Sequence, residues 1–145
     1  MRWRISVFGA LVGVLALMGC GSADETKDYL REANAICASA QKRLDKIPRP
    51  SSLAQVSRVT KRELAVRKDA IAQLGELAPP VEIAGGADAV FEDLETRQER
   101  ARAVLKAAED KDEKKLREIK EEARTESAVE VWRARAASLR DCSEL

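Results

Sequence analysis

Three cysteines, Cys20, Cys37 and Cys142, carry the most reactive side chains of this 145-residue chain. A thiol can be acylated, oxidised to a disulfide, attack as a nucleophile or bind a metal, and its neighbours and compartment decide which. The chain has no histidine. That excludes Ser-His-Asp and Cys-His catalysis, histidine-ligated zinc and the Glu-x-x-His di-iron site of many four-helix bundles. Carboxylates are the other candidates: Glu92, Asp93 and Glu95 form one group, and Glu109, Asp110, Asp112 and Glu113 a second. Paired carboxylates can hold calcium or act as acid and base, but the ligand spacing of an EF-hand loop is missing. Lysines alternate with the second group and Arg97 follows the first, as on a solvated helix face. The expectation is therefore no metal, no catalytic set and no enzyme.

The first cysteine follows a leader. Arg2 and Arg4 precede an apolar stretch, Ile5 to Met18, of 14 residues, a length that suits a signal peptide and is short for a bilayer span. Leu17-Met18-Gly19-Cys20 resembles a bacterial lipoprotein lipobox, with Met18 standing where Ala, Ser or Thr is usual. The resemblance implies cleavage before Cys20, a diacylglyceryl group on its sulfur and, in some lipoproteins, a further acyl group on its amine. Residues 1–19 would then be the signal peptide and 20–23 a short tether. Several acyl chains, at ~0.8 kcal/mol per buried CH2, hold a protein to a membrane, whereas one chain binds reversibly. The expected location is the extracytoplasmic face of the cell membrane, or the outer membrane of a diderm host, because Gly21 is not the Asp of an inner-membrane retention signal. Ordinary secretion, with cleavage at Gly21-Ser22-Ala23, is the competing reading.

The chain carries 26 basic and 25 acidic residues, and loss of Arg2 and Arg4 leaves 24 against 25. This balance predicts no basic field for nucleic acid and no polybasic patch for anionic lipid. Membrane attachment is left to the lipid. After cleavage the aromatic residues are Tyr29, Phe91 and Trp132, so the core of the 126 mature residues must be built from Leu, Val, Ile and Ala. The composition favours helices.

Periodicity places four of them, at about 24–46, 52–77, 86–109 and 111–139, within a domain spanning 24–145. Ser22 with Glu25 fits a capping box for the first, whose stripe is Leu30, Ala33, Cys37, Ala40, Leu44 and Ile47. Pro48-Arg49-Pro50 stops it, and Ser51 or Ser52 caps the second, which buries Leu53, Val56, Leu64, Ile71, Leu74 and Leu77, with Thr60 and Arg67 as weak points. The third buries Val90, Phe91, Leu94, Ala101, Val104, Leu105 and Ala108. Asp110 is the expected cap of the fourth, with Leu116, Ile119, Ala123, Trp132, Ala136 and Leu139 inward. Short connections between long amphipathic helices predict an all-α, antiparallel four-helix bundle.

Outside the cytoplasm, the even pair Cys37 and Cys142 is most simply a disulfide, with two buried free thiols as the alternative. In a bundle with level ends, Cys37 would lie about 15 Å below the top of helix one and Cys142 about 45 Å below the top of helix four. A disulfide needs Cα atoms within about 7 Å. Helix one is therefore expected to slide toward its own N-terminal, membrane-side end, by ~15 to 20 Å if the extended connector 47–52 supplies the drop, with a bend before Asp141 supplying the remainder.

The cysteine arrangement is similar to that of small actinobacterial lipoproteins of unknown function, in which an Ala-x-Ala-Ile-Cys helix, here Ala33-Asn34-Ala35-Ile36-Cys37, accompanies a cysteine near the C-terminus, here Leu139-Arg140-Asp141-Cys142. A glycine expected just ahead of the terminal motif is replaced by Ala137-Ser138-Leu139. The resemblance implies a location and a fold, with no activity attached.

The expected role is a non-enzymatic, lipid-tethered module acting through an envelope protein or structural contact, with the membrane as the partner of Cys20 and no nucleic acid. The charged run Lys111 to Glu126 is either an exposed shoulder or a partner-docking helix. The alternative role is a small-ligand carrier with a pocket near Tyr29, Phe91 and Trp132, although Trp132 also suits plain core filling. A chain closing on Ser143-Glu144-Leu145 offers no C-terminal lysine for linkage to peptidoglycan.

Overall fold

A computed structural model describes residues 22–145, apart from the side chains of Ser22, residues 125–132 and Glu144. Four long helices, α1 (Ser22–Leu44), α2 (Leu53–Gly75), α3 (Ala84–Glu109) and α4 (Glu113–Ala136), precede a short 3-10 turn, Arg140–Glu144. No strand occurs among the described residues, and the architecture is an all-α helical bundle. Consecutive helices pack side by side in order, and the C-terminal turn closes the arrangement by lying against both α1 and α4.

The apolar stripes explain the packing. Ala33, Cys37 and Ala40 of α1 are buried, with Leu30, Leu44 and Ile47 partly so, against Val66, Ala70 and Leu74 of α2 and Val90 and Leu94 of α3. Small alanines along this seam let helix backbones approach closely, so the core needs few large side chains. Thr60 is buried, and Arg67 is half-buried with its guanidinium held down in pKa first by burial. In α4, Ile119 and Ala134 are buried, whereas Ala136, expected inward, is exposed because the helix ends there.

Several boundaries differ from the periodicity. Ser22 is already the first residue of α1 rather than its cap, and α1 and α2 each stop two residues early. The hydroxyl of Ser52 caps α2 by accepting from the N–H of Gln55. The cap of α4 is Asp112, not Asp110: its carboxylate accepts from the N–H of Lys115 at 2.9 Å. Asp110 instead closes α3, after which Lys111 turns left-handed at φ 57° and the N–H of Asp112 donates to the carbonyl of Ala107 at 2.8 Å.

The largest departure is the end of α4. Periodicity carries this helix to Leu139, but the chain reverses at Ser138, φ 60°, with the N–H of Leu139 donating to the carbonyl of Ala134 at 2.9 Å. Ser138 thus holds the left-handed position that a glycine takes most easily. The reversal carries Leu139, Cys142 and Leu145 back into the core, each 3 % exposed or less. Gly86 accommodates the approach of this helix end to α3, since a Cβ there would stand 3.3 Å from that of Ala137.

Helix α1 is displaced as the cysteines require. Arg43, near its end, pairs with Asp69 of α2, and Ile47 shares a surface depression with Arg62, Ala65 and Val66. Ile47, three residues past the end of α1, thus lies level with Arg62, and the first nine residues of α2, roughly 14 Å of helix, extend beyond it. The drop and the reversal at Ser138 together bring Cys37 and Cys142 to a Cα separation of 5.0 Å, with their sulfurs joined.

Candidate functional site

The sequence offers Cys20, Tyr29, Phe91, Trp132 and two carboxylate groups as functional candidates beside the disulfide pair. Cys20 lies outside the described residues, and so does the side chain of Trp132, although its backbone belongs to α4. Cys37 and Cys142 are buried at 0 % and 2 % exposure. Their bond is sealed from solvent and suits a structural staple, not an exchanging thiol pair.

Tyr29 and Phe91 do come together. Tyr29 sits two turns into α1 and Phe91 two turns into α3, and the antiparallel packing of α2 between them brings both to the end of the bundle where α2 turns into α3. They share a cleft of about 200 Å³ lined also by Leu74, Gly75, Leu77, Pro79, Ala87 and Asp88. Gly75 forms part of its wall, where a Cβ would meet Phe91 Cζ at 3.5 Å. Partial burial, and secondarily the Asp88 carboxylate, push the Tyr29 phenol above its usual pKa of 10.0. The phenol is accordingly neutral at physiological pH. A second open depression of about 330 Å³ continues from Tyr29 and Leu77 past Ala78 and Pro80 and is edged by Glu25, Asp28 and Glu32. The proline lip is stiff, because each ring fixes its φ.

The expected carboxylate groups do different work. Asp93, only 8 % exposed, accepts a 2.7 Å charge-assisted hydrogen bond from Arg133, tying α3 to α4. Asp110 holds Lys106 on its own helix at 2.8 Å and Glu109 reaches Lys61 of α2 at 2.7 Å. No group of acidic or cysteine ligands among the described residues is arranged to hold a metal. The Lys111 to Glu126 run packs on α3 through Leu116, Ile119 and Ala123, and its remaining described side chains are exposed.

Asn34 fills the unspecified position of the Ala-x-Ala-Ile-Cys stretch, yet it is central to the fold. Its amide Nδ2 donates to the carbonyls of Leu30, 2.8 Å, and Ser138, 3.0 Å, while its Oδ1 accepts from the N–H of Asp141, 3.1 Å. Arg97 adds a 3.0 Å bond to the carbonyl of Ser143. One signal does point to Asn34: an amide in the middle of an otherwise Ala-rich helix face, three residues before a cysteine, is a poor helix former there without a partner.

No family model, curated protein or solved structure matches this chain. No helix among the described residues is long and apolar enough to cross a membrane.

Proposed function

We propose that the mature chain is a lipid-anchored, extracytoplasmic helical module that works by binding a protein or other component of the cell envelope, not by catalysis. The observation that carries this reading is the position of the first described helix. α1 begins at Ser22, two residues after Cys20, so a lipid on Cys20 would hold the bundle with its Tyr29 end close to the bilayer. An anchor this short leaves surface recognition beside the membrane as the natural mode of action. The resemblance to actinobacterial lipoproteins is compatible with it and adds no activity.

The carrier reading is less well supported. Small-molecule pockets usually enclose about 300 Å³ or more, whereas the Tyr29–Phe91 cleft offers about 200 Å³ and is open to solvent. Labelling cells with an alkyne-bearing fatty acid tests the anchor. The expected result is label on the wild-type protein and none on Cys20→Ser, with the variant released from the membrane fraction; equal membrane retention of both would overturn the proposal.

A further inference from the structure

The near-neutral charge of the chain conceals a strong local imbalance. Residues 69–96 contain seven acidic residues and no basic one; Arg43 and Arg133 from other helices pair with Asp69 and Asp93, and neither of these two carboxylates lines the cleft. The fold turns this stretch into the end of α2, the connector and the start of α3, and lays it against the start of α1. The Tyr29–Phe91 cleft lies within that region, and two of the three mature aromatic residues, partly buried against the core, also line it. Its edge carries Glu25, Asp28, Glu32 and Asp88, with no lysine or arginine among the lining residues. Asp28 holds Arg31 on its own helix at 2.9 Å; Glu25, Glu32 and Asp88 have no ion pair among the described residues. The connector continues the apolar lip outward to Val81, which is 91 % exposed.

An apolar, aromatic floor with an acidic rim selects against an anionic lipid surface and in favour of a cation attached to an apolar body. We infer that this cleft docks a basic peptide segment of a partner protein, with an aliphatic side chain seated among Tyr29, Leu77 and Phe91 and flanking lysines or arginines reaching Glu25, Glu32 and Asp88. The inference rests on the protein-contact reading above and names the chemistry of the partner. The two joined depressions form a groove rather than an enclosed pocket, which fits a chain passing through. The proline lip and the α1 wall are pre-formed, which limits the ordering that binding requires.

Two experiments test it. Lipidated protein in phosphatidylcholine vesicles is titrated with a labelled acetyl-Lys-Leu-Lys-Leu-Lys-amide peptide and followed by anisotropy. Binding is expected to weaken about tenfold in the triple variant Glu25→Gln, Glu32→Gln, Asp88→Asn, and about tenfold when the leucines of the peptide are replaced by serine. The three altered residues are exposed, and an unchanged melting curve would verify the fold. Equal binding of the triple variant, or of the serine peptide, would overturn the inference. In cells, a photo-crosslinking residue at the exposed cleft edge, Ala78, is compared with one at Lys120 on α4. Crosslinks from Ala78 to a basic, aliphatic segment support the cleft, and crosslinks to an acidic segment refute it. Capture from Lys120 alone removes the cleft while leaving a protein-contact module standing; capture from neither removes both.

Discussion

The two left-handed helix ends, at Lys111 and Ser138, share one backbone geometry and lead the chain into different surroundings. After Lys111 the chain simply starts the next helix, capped by Asp112, among charged and exposed side chains. After Ser138 it turns back into the bundle, where Asn34 brackets the reversal and Cys142 is joined to Cys37. The same contrast runs through the whole molecule. At the Ser138 end, α1 and the C-terminal turn add a layer to the α2, α3 and α4 core, and the ties are covalent, buried or hydrogen-bonded over long sequence separations. At the Lys111 end, α2, α3 and α4 extend past α1; Thr60, Ala107, Ala108 and Ile119 are buried there, and exposed pairs such as Lys61–Glu109 add little. A turn's backbone conformation therefore says little about how firmly its surroundings hold it.

Breaking the cysteine bond should have the largest effect. A double Cys37→Ala, Cys142→Ala variant is expected to lose about 3 to 5 kcal/mol in urea unfolding, since the bond closes a 105-residue separation. Hydrogen exchange should show protection lost first in α1, with α2 and α3 retaining theirs; uniform loss would abolish the distinction between the two ends. Arg133→Ala leaves the buried carboxylate of Asp93 without its cation and should cost about 1 to 3 kcal/mol by the same measurement. Asn34→Ala should cost about 1 to 2 kcal/mol, because the Ser138 carbonyl and the Asp141 N–H both lose a partner.

Glycine at either left-handed residue removes a Cβ penalty, so Ser138→Gly and Lys111→Gly should each stabilise by about 1 kcal/mol and raise the melting temperature by a few degrees. A gain at Lys111 with none at Ser138 would mean that the contacts around Ser138, rather than its backbone, decide that turn. The smallest effects belong to exposed pairs. Lys61→Ala should change stability by less than about 0.5 kcal/mol. Hydrogen bonds from Arg43 and Gln73 hold the Asp69 carboxyl below its usual pKa of 3.8. Its contribution is therefore present above that value and is lost as the pH falls through the lowered folded value. A carboxyl NMR titration of Asp69 with a midpoint at or above 3.8 would contradict this.

Much of the fold is legible in the chain because helices are local. The stripe Ala33, Cys37, Ala40 and the stop at Pro48 need only nearest turns to specify them, and the structure buries those three residues. The displacement of α1 is legible too, since two cysteines and a helical rise impose it. Asp93 is not: it lies among Glu92 and Glu95 and looks like part of a solvated face until Arg133, 40 residues later, is packed against it. Trp132 takes its place on α4, and its side chain lies outside the described residues. Tyr29 and Phe91 can be paired from composition alone only as scarce aromatics, because their meeting depends on α2 being interposed at the right height.

The chain alone therefore determined four amphipathic helices, the absence of histidine and the scarcity of aromatics, since each is a property of residue type and near-neighbour spacing. Tertiary structure decided that α4 ends at Ala136, that Asn34 clamps the reversal at Ser138, and that Tyr29, Phe91 and Asp88 line one cleft. Those outcomes arise from contacts between residues tens of positions apart, whose energies no local periodicity encodes.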